Sequence, residues 1–400
     1  MATQHIQSTY EVLAKDIQSL GIDTVFGLIS DDTALFVTAL DMIGVQFHGA
    51  RHENTAITMA EGYASTSGRL GIAVVGRGPA TANGMHGAVY ANRTGSPVLI
   101  IYGDAPVADG HINTLGPDYK EFNSTMVLSA AGLQVFRATS PKGARTALAD
   151  AVATAQLGNA VALLLPTSVQ LEKFEVKDDV AVSPAIPDPP RREKATPQTI
   201  STTAELLNKS RRPLIVAGVG VHRAGADQAL EKLADRIGAL LITSARAKDM
   251  FRGNPNNLGI IGSFSHSVAR RFIDQTDCVL VFGASLNFWT TSFGTFVPAV
   301  PLIQVDSKRV NIGKFSNADV AVVGDARLVA EQLLDTLPDR SEEEKPFHSQ
   351  DVRQSLAKFD PAGEFRPAHT ARTIDPRSLG IALDRLLPEN RNLVYDAGNF

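Results

Sequence analysis

Between residues 24 and 165, short runs rich in β-branched residues alternate with stretches of helical period, and this alternation leaves few folds open to the chain. It is the pattern of a parallel sheet covered by helices on both faces, because each parallel connection needs a crossover long enough to hold a helix. Strands are expected at 24–28, 45–50, 71–76, 97–103, 133–138 and 160–165, with helices at 8–19, 54–67, 82–93 and 141–156. The alternation restarts further along, with strands expected at 213–217, 239–243, 278–284, 302–306 and 320–324.

Two breaks separate these patterned regions. The first holds Pro184, Pro187, Pro189, Pro190 and Pro197 among charged residues, a density that denies backbone donors to helix and sheet alike. The second is polar and contains the acidic run 342–344. The expected organisation is a first α/β domain over 1–176, a linker over 177–198, a central α/β domain over 199–338, a linker over 339–370 and the start of a third α/β domain over 371–400. That last piece offers one amphipathic helix after Asp375-Pro376-Arg377 and a strand from 392 to 395, too little to bury a core alone.

Charge and cysteine content name no partner. With 38 basic and 42 acidic residues the net charge is −4, which gives no general attraction to nucleic acid or to an anionic membrane. No apolar run reaches the roughly 18–20 residues needed to span a bilayer. The single cysteine, Cys278, rules out an intrachain disulfide and any all-cysteine metal cluster on this chain, and it favours a cytoplasmic setting.

The chemistry concentrates at 51–56, where a strand ends and a helix begins, since ligands of parallel α/β folds sit at the C-terminal strand edge. Arg51-His52-Glu53 is followed by Ala60-Glu61-Gly62-Tyr63-Ala64, by Gly68-Arg69-Leu70-Gly71, and, after an apolar strand, by Gly76-Arg77-Gly78-Pro79-Ala80-Thr81-Ala82-Asn83. This ordered set resembles the pyrimidine-binding domain of the acetolactate synthase and benzoylformate decarboxylase superfamily of thiamine diphosphate enzymes. In that family the glutamate matching Glu53 bonds to N1′ of the aminopyrimidine and favours the imino tautomer, whose nitrogen takes the proton from the thiazolium C2. A carboxyl group suits the position because a proton must be shared with a ring nitrogen in a dry cleft.

The resemblance assigns further roles. It places Gly78, Pro79 and Asn83 with Glu53 against the cofactor, and Leu28, Ile29, Ser30, Arg77 and His111 around the substrate. Other roles stay open to some of these residues. Glu53 could be a helix N-terminal acid paired with Arg51 or complementing the macrodipole; His52 could face the cleft or lie in the core. Arg77 could contact a substrate carboxylate or be a surface residue, and Asp31 and Asp32 could cap a helix from Thr33. His111 could handle a proton, its imidazole being suited to that near neutral pH, or be an exposed loop residue. Relatives read V-F-G-x-P-G where this chain has Val25-Phe26-Gly27-Leu28-Ile29-Ser30, so the substrate loop differs.

The turn 216–222 is similar to a nucleotide-binding turn, but its spacing to Gly225 departs from G-x-G-x-x-G. Flavin-binding relatives tend to carry arginine after F-G, where this chain has Ser285 beyond Phe282-Gly283-Ala284, so FAD is not expected. Relatives hold Mg²⁺ and the diphosphate through G-D-G and a later N-N pair, hard oxygen ligands suited to that ion. Gly103-Asp104, Gly324-Asp325 and Asn256-Asn257 do not make that set, so no metal ligand is expected here and Mg²⁺ is expected to enter through a C-terminal domain beyond Phe400. The resemblance implies decarboxylation or ligation of a 2-oxo acid by a homodimer or homotetramer, this length of chain being inactive alone. The other expectation is an incomplete scaffold or assembly subunit without turnover.

Overall fold

A computed structural model describes residues 4–106, 120, 122–177, 192–295 and 298–393. The chain divides into two compact units, Met1–Arg191 and Arg192–Phe400. The strands of the first are β1 (Gln4–Ser8), β2 (Thr24–Gly27), β3 (Gln46–Gly49), β4 (Gly71–Val75), β5 (Val98–Asp104), β6 (Gln134–Arg137), β7 (Ala160–Pro166) and β8 (Lys173–Lys177). Six form a parallel sheet in the order β3-β2-β4-β5-β7-β6, and β1 pairs with β8 as a separate antiparallel ribbon.

The central strands β2, β4, β5 and β7 are buried on both faces, which is why they read as apolar runs, while the edge strands β3 and β6 are only partly buried. Val25, Val74, Leu99 and Ile101 pack in one cluster with helices Thr9–Ser19, Ala34–Met42 and Pro141–Gln156. Their strand neighbours Phe26, Ala73, Val75, Ile100 and Tyr102 pack in another with Glu53–Ser67 and Met85–Thr94. Each fully buried Val, Leu or Ile contributes about 1.5–3 kcal/mol. A buried ion pair fastens two helices of the first layer, with Arg145 Nε and NH2 donating to Asp16 at 2.8 and 2.7 Å.

Helix boundaries follow local chemistry. Ser140 accepts from Gly143 N at 3.2 Å with Pro141 as the first helical residue. Glu53–Ser67 ends on Gly68, whose φ of 71° favours glycine. The helix expected over 82–93 is two helices, Pro79–Asn83 and Met85–Thr94, meeting at Gly84. A Cβ on Gly84 would come 2.5 Å from Ile57 Cδ1 of the Glu53 helix, so the break lets the chain pass close to it.

The second unit holds β9 (Pro213–Ala217), β10 (Leu240–Thr243), β11 (Asn257–Ile260), β12 (Cys278–Phe282), β13 (Leu302–Asp306) and β14 (Val320–Val323). They form a parallel sheet in the order β11-β10-β9-β12-β13-β14. β11 was not expected: it is a polar edge strand with an irregular register in which Leu258 alone is buried. The polar stretch expected as a linker over 339–370 carries a helix, Gln350–Ala357, and Phe347 and Val352 are buried in the core of this unit. Most of the linker expected over 177–198 lies outside the described residues, as does the end of the strand expected over 392–395. Among the described residues no helix is long and apolar enough to cross a membrane.

Two half-buried imidazoles tie down this unit. His266 Nδ1 accepts from Ala269 N at 3.1 Å while the ring stacks on Phe359, and His348 Nε2 donates to the Ala239 carbonyl at 2.9 Å. Burial outweighs neighbouring attractions and holds both below the ordinary histidine pKa. The unfolded chain therefore binds protons that the folded one refuses, so stability is fully present above the unfolded value of about 6.5 and falls as pH drops through it. Melting curves between pH 7.5 and 5.5 should show a falling midpoint, with a shallower fall in the His266→Asn variant, where an amide can still cap the helix.

Candidate active site

The order of the first sheet creates the site. From β2 the chain steps to β3 on one side, then returns past β2 to β4 on the other. The helix after β2 lies on one face of the sheet, and the helices after β4 include Met85–Thr94 on the opposite face. This is the topology whose crevice at the C-terminal edge receives ligands in α/β sheets, and here the loops leaving β2 and β4 meet across it, Ser30 against Gly76.

Glu53 stands beside this crevice as the first residue of its helix, partly buried. His52 is the cap: its Nδ1 accepts from Asn54 N at 3.1 Å, which places the ring at the exposed helix start rather than in the core. Asn83, at the end of the short helix Pro79–Asn83, donates from Nδ2 to Glu53 Oε2 at 3.1 Å. Asn54 Oδ1 accepts from Gly87 N at 2.7 Å and ties the Glu53 helix to Met85–Thr94. Gly78 has φ 63°, and a Cβ there would lie 2.3 Å from the Lys120 carbonyl; Pro79 follows it as an exposed first helical residue.

Beneath Glu53 lies a group that the apolar character of β5 concealed. Tyr102 is fully buried, in the same cluster as Ile57 one turn along from Glu53, and its hydroxyl has no hydrogen-bond partner among the described residues. Burial, joined by the nearby Glu53 carboxylate, holds the phenol above its ordinary pKa. An unpartnered buried hydroxyl costs about 1–3 kcal/mol. An orphaned hydroxyl near the Glu53 carboxylate suits a site that receives a further polar group.

The crevice loops are joined by charge. Arg77 Nε donates to Asp32 Oδ1 at 2.7 Å, and Lys120 Nζ to Asp32 Oδ2 at 3.0 Å. Lys120 also pairs with Asp31, holding that carboxyl below its usual pKa. Arg77, expected as a contact for a substrate carboxylate, is thus already engaged by an internal one. The cap expected from Asp31 and Asp32 is absent: Thr33 precedes the helix Ala34–Met42 without a side-chain cap bond, and the acids serve the two cations instead.

Of the substrate-loop residues, Leu28 N donates to the Val74 carbonyl at 3.1 Å, and Ile29 is 56% exposed. Ser30 closes on Gly76, where a Cβ would lie 2.8 Å from its Oγ. These residues share the crevice wall with Gly76, Arg77 and Gly78, whereas His111 lies outside the described residues. Sequence reasoning missed Tyr102, Lys120 and the hub role of Asp32; only the adjacent acids after β2 offered a signal.

Residues 7–124 match the family model described as thiamine pyrophosphate enzyme, N-terminal TPP binding domain, and 200–333 match thiamine pyrophosphate enzyme, central domain, together more than half the chain. The probable acetolactate synthase large subunit of Methanocaldococcus jannaschii is 27% identical over 82% of this chain and 56% of its own length. The acetolactate synthase large subunit of Corynebacterium glutamicum is 26% identical over 82% of this chain and 52% of its own. The sulfoacetaldehyde acetyltransferase of Roseovarius nubinhibens is 27% identical over 98% of this chain and 67% of its own. The chain thus spans about half the length of the acetolactate synthases and two thirds of the acetyltransferase. With both domain models matched in order, the chain belongs to the thiamine pyrophosphate enzyme family.

Proposed function

We propose that this chain serves a thiamine diphosphate-dependent enzyme that breaks or forms the bond beside the carbonyl of a 2-oxo acid, with Glu53 engaging the aminopyrimidine ring. The observation that carries this reading is the Glu53–Asn83 pair at the sheet edge, set over the unpartnered hydroxyl of Tyr102. Asn83 holds Oε2 and leaves Oε1 for a ring nitrogen, while the His52 cap fixes the start of the helix that carries the carboxyl. Gly78 and Pro79 would border the ring, and Leu28, Ile29 and Ser30 the substrate.

When bound, thiamine diphosphate supplies a thiazolium carbon that attacks the substrate carbonyl and accepts the electrons released as the adjacent bond breaks. The task of Glu53 is to share a proton with the ring nitrogen, and its partly buried position strengthens that interaction over its value in water.

The diphosphate and Mg²⁺ are proposed to be held outside the two matched domains, in a homodimer or homotetramer. Supporting this, the helix Pro376–Leu386 has no buried residue and exposes Leu379, Leu383 and Leu386, an apolar face suited to packing against further protein. The central domain is proposed to hold no flavin, since Ser285 stands where an arginine is expected and Gly218 and Gly220 are taken up by contact with Gly283.

In the complete enzyme, Glu53→Gln should lower pyruvate consumption by about 10²–10⁴-fold without moving the melting midpoint, and Asn83→Ala should act in the same direction more weakly; unchanged turnover in Glu53→Gln would sink the role given to that carboxyl. Tyr102→Phe should leave stability to urea unchanged or raise it by up to about 1 kcal/mol, since the hydroxyl removed has no partner to lose. Mixed with thiamine diphosphate, Mg²⁺ and pyruvate, the 400-residue chain should turn over only after a polypeptide carrying the diphosphate-binding domain is added; turnover without it would overturn the proposed division of labour.

A further inference from the structure

Four charged side chains meet in the crevice and have no part in the chemistry proposed for Glu53. Asp32 is 5% exposed. Its Oδ1 accepts from Arg77 Nε at 2.7 Å, and its Oδ2 from Lys120 Nζ at 3.0 Å, from Ser30 Oγ at 3.2 Å and more distantly from Arg77 N at 3.4 Å. The second acid, Asp31, is paired with the same lysine. The main-chain oxygen of Asp32 accepts from Gln170 Nε2 at 2.8 Å, and Gly103 at the end of β5 gives its side chain room, since a Cβ there would come 2.6 Å from Asp32 Cβ. The carboxylate is thereby held from four directions and cannot swing aside without breaking several bonds at once.

Among the described residues, Asp32 and Asp31 answer the charges of Arg77 and Lys120. An incoming anion would have to displace a carboxylate that is already desolvated and part of the same molecule, a contest it enters at a disadvantage. We propose that Asp32 is a specificity-determining residue: by engaging Arg77 and Lys120 from a buried position, it denies both to an anionic group and selects substrates whose end facing the 28–32 and 76–78 loops is uncharged. This rests on reading the crevice as the substrate site, so the test has one arm independent of catalysis.

In the first arm, sulfate is titrated calorimetrically, at constant ionic strength, into the unsubstituted chain, Asp32→Asn and the double variant Asp32→Asn/Arg77→Gln. The unsubstituted chain should bind no sulfate at this site, Asp32→Asn should bind it at least tenfold more tightly, and the double variant should lose the gain. No gain in a folded Asp32→Asn would overturn the proposal. If that variant does not fold, the unsubstituted chain decides: sulfate binding abolished by Arg77→Gln would overturn the proposal, and its absence would support it. In the second arm, the complete enzyme is given an uncharged and an anionic aldehyde acceptor, and the anionic-to-uncharged ratio of kcat/KM should rise at least tenfold in Asp32→Asn. A ratio that does not move overturns the substrate claim even where sulfate binds. Absence of any thiamine diphosphate-dependent turnover instead removes the reading of the crevice as a substrate site, and with it the substrate claim, leaving the sulfate result to decide the charge lock.

Discussion

The close contact between Gly71 and the Ala60 carbonyl sets the height of everything at the site. A Cβ on Gly71 would come 2.1 Å from that oxygen, so the helix Glu53–Ser67 lies against the start of β4 with no side chain between them. Glu53 precedes Ala60 by seven residues, about 10 Å along a rigid helix, which carries its carboxyl towards the far end of the strand. Gly27 works in the same way between β2 and β4, where a Cβ would lie 2.3 Å from the Val74 carbonyl. A methyl group at either place would lift the helix or spread the strands, and the spacing of Glu53, Asn83 and the crevice loops would change with it.

The parallel sheets were legible because a strand buried on both faces has to be apolar along its length, and a crossover helix has to return between such strands. β11 escaped because an edge strand with one buried residue lacks that signature. The break at Gly84 escaped because both flanking segments share helical composition, and only the approach of Ile57 explains it. The segment from Arg51 to Asn83 announced a site through the order of its motifs. The same segment could not reveal that His52 caps the helix through Nδ1, because a cap depends on backbone direction rather than residue type.

Tyr102 and Asp32 were hidden for different reasons. A tyrosine within an apolar strand reads as core, which it is; what sets it apart is an unpartnered hydroxyl beside a carboxylate brought there by a helix from another part of the chain. Asp32 finds Arg77 and Lys120 at separations of 45 and 88 residues, contacts that exist only once β2 and β4 lie side by side and Lys120 lies against Gly78. The second sheet shows the converse case. Its order is that of a dinucleotide-binding fold and its first turn is glycine-rich. Yet a Cβ on Gly218 would lie 2.1 Å from the Gly283 carbonyl and one on Gly220 2.7 Å from its Cα. Those glycines serve the packing of two loops, and fold alone does not assign a ligand.

Geometry and charge at the first site are consequences of one set of bonds. The contacts that neutralise Arg77 and Lys120 also fasten the loop after β2 to the loop after β4, and the loop after β2 carries Leu28, Ile29 and Ser30. Exposed ion pairs of this kind would contribute little, but Asp32 is buried, so the bonds it accepts weigh more than those of a surface pair. The rigidity of these loops and the engagement of their charges therefore cannot be varied independently. A chain that needed a free cation in the crevice would have to hold these loops by other means, such as the proline and glycine that relatives place after V-F-G. Here Ile29 and Ser30 stand at those two positions, and the loop is fastened by the bonds of Asp32 to Arg77 and Lys120.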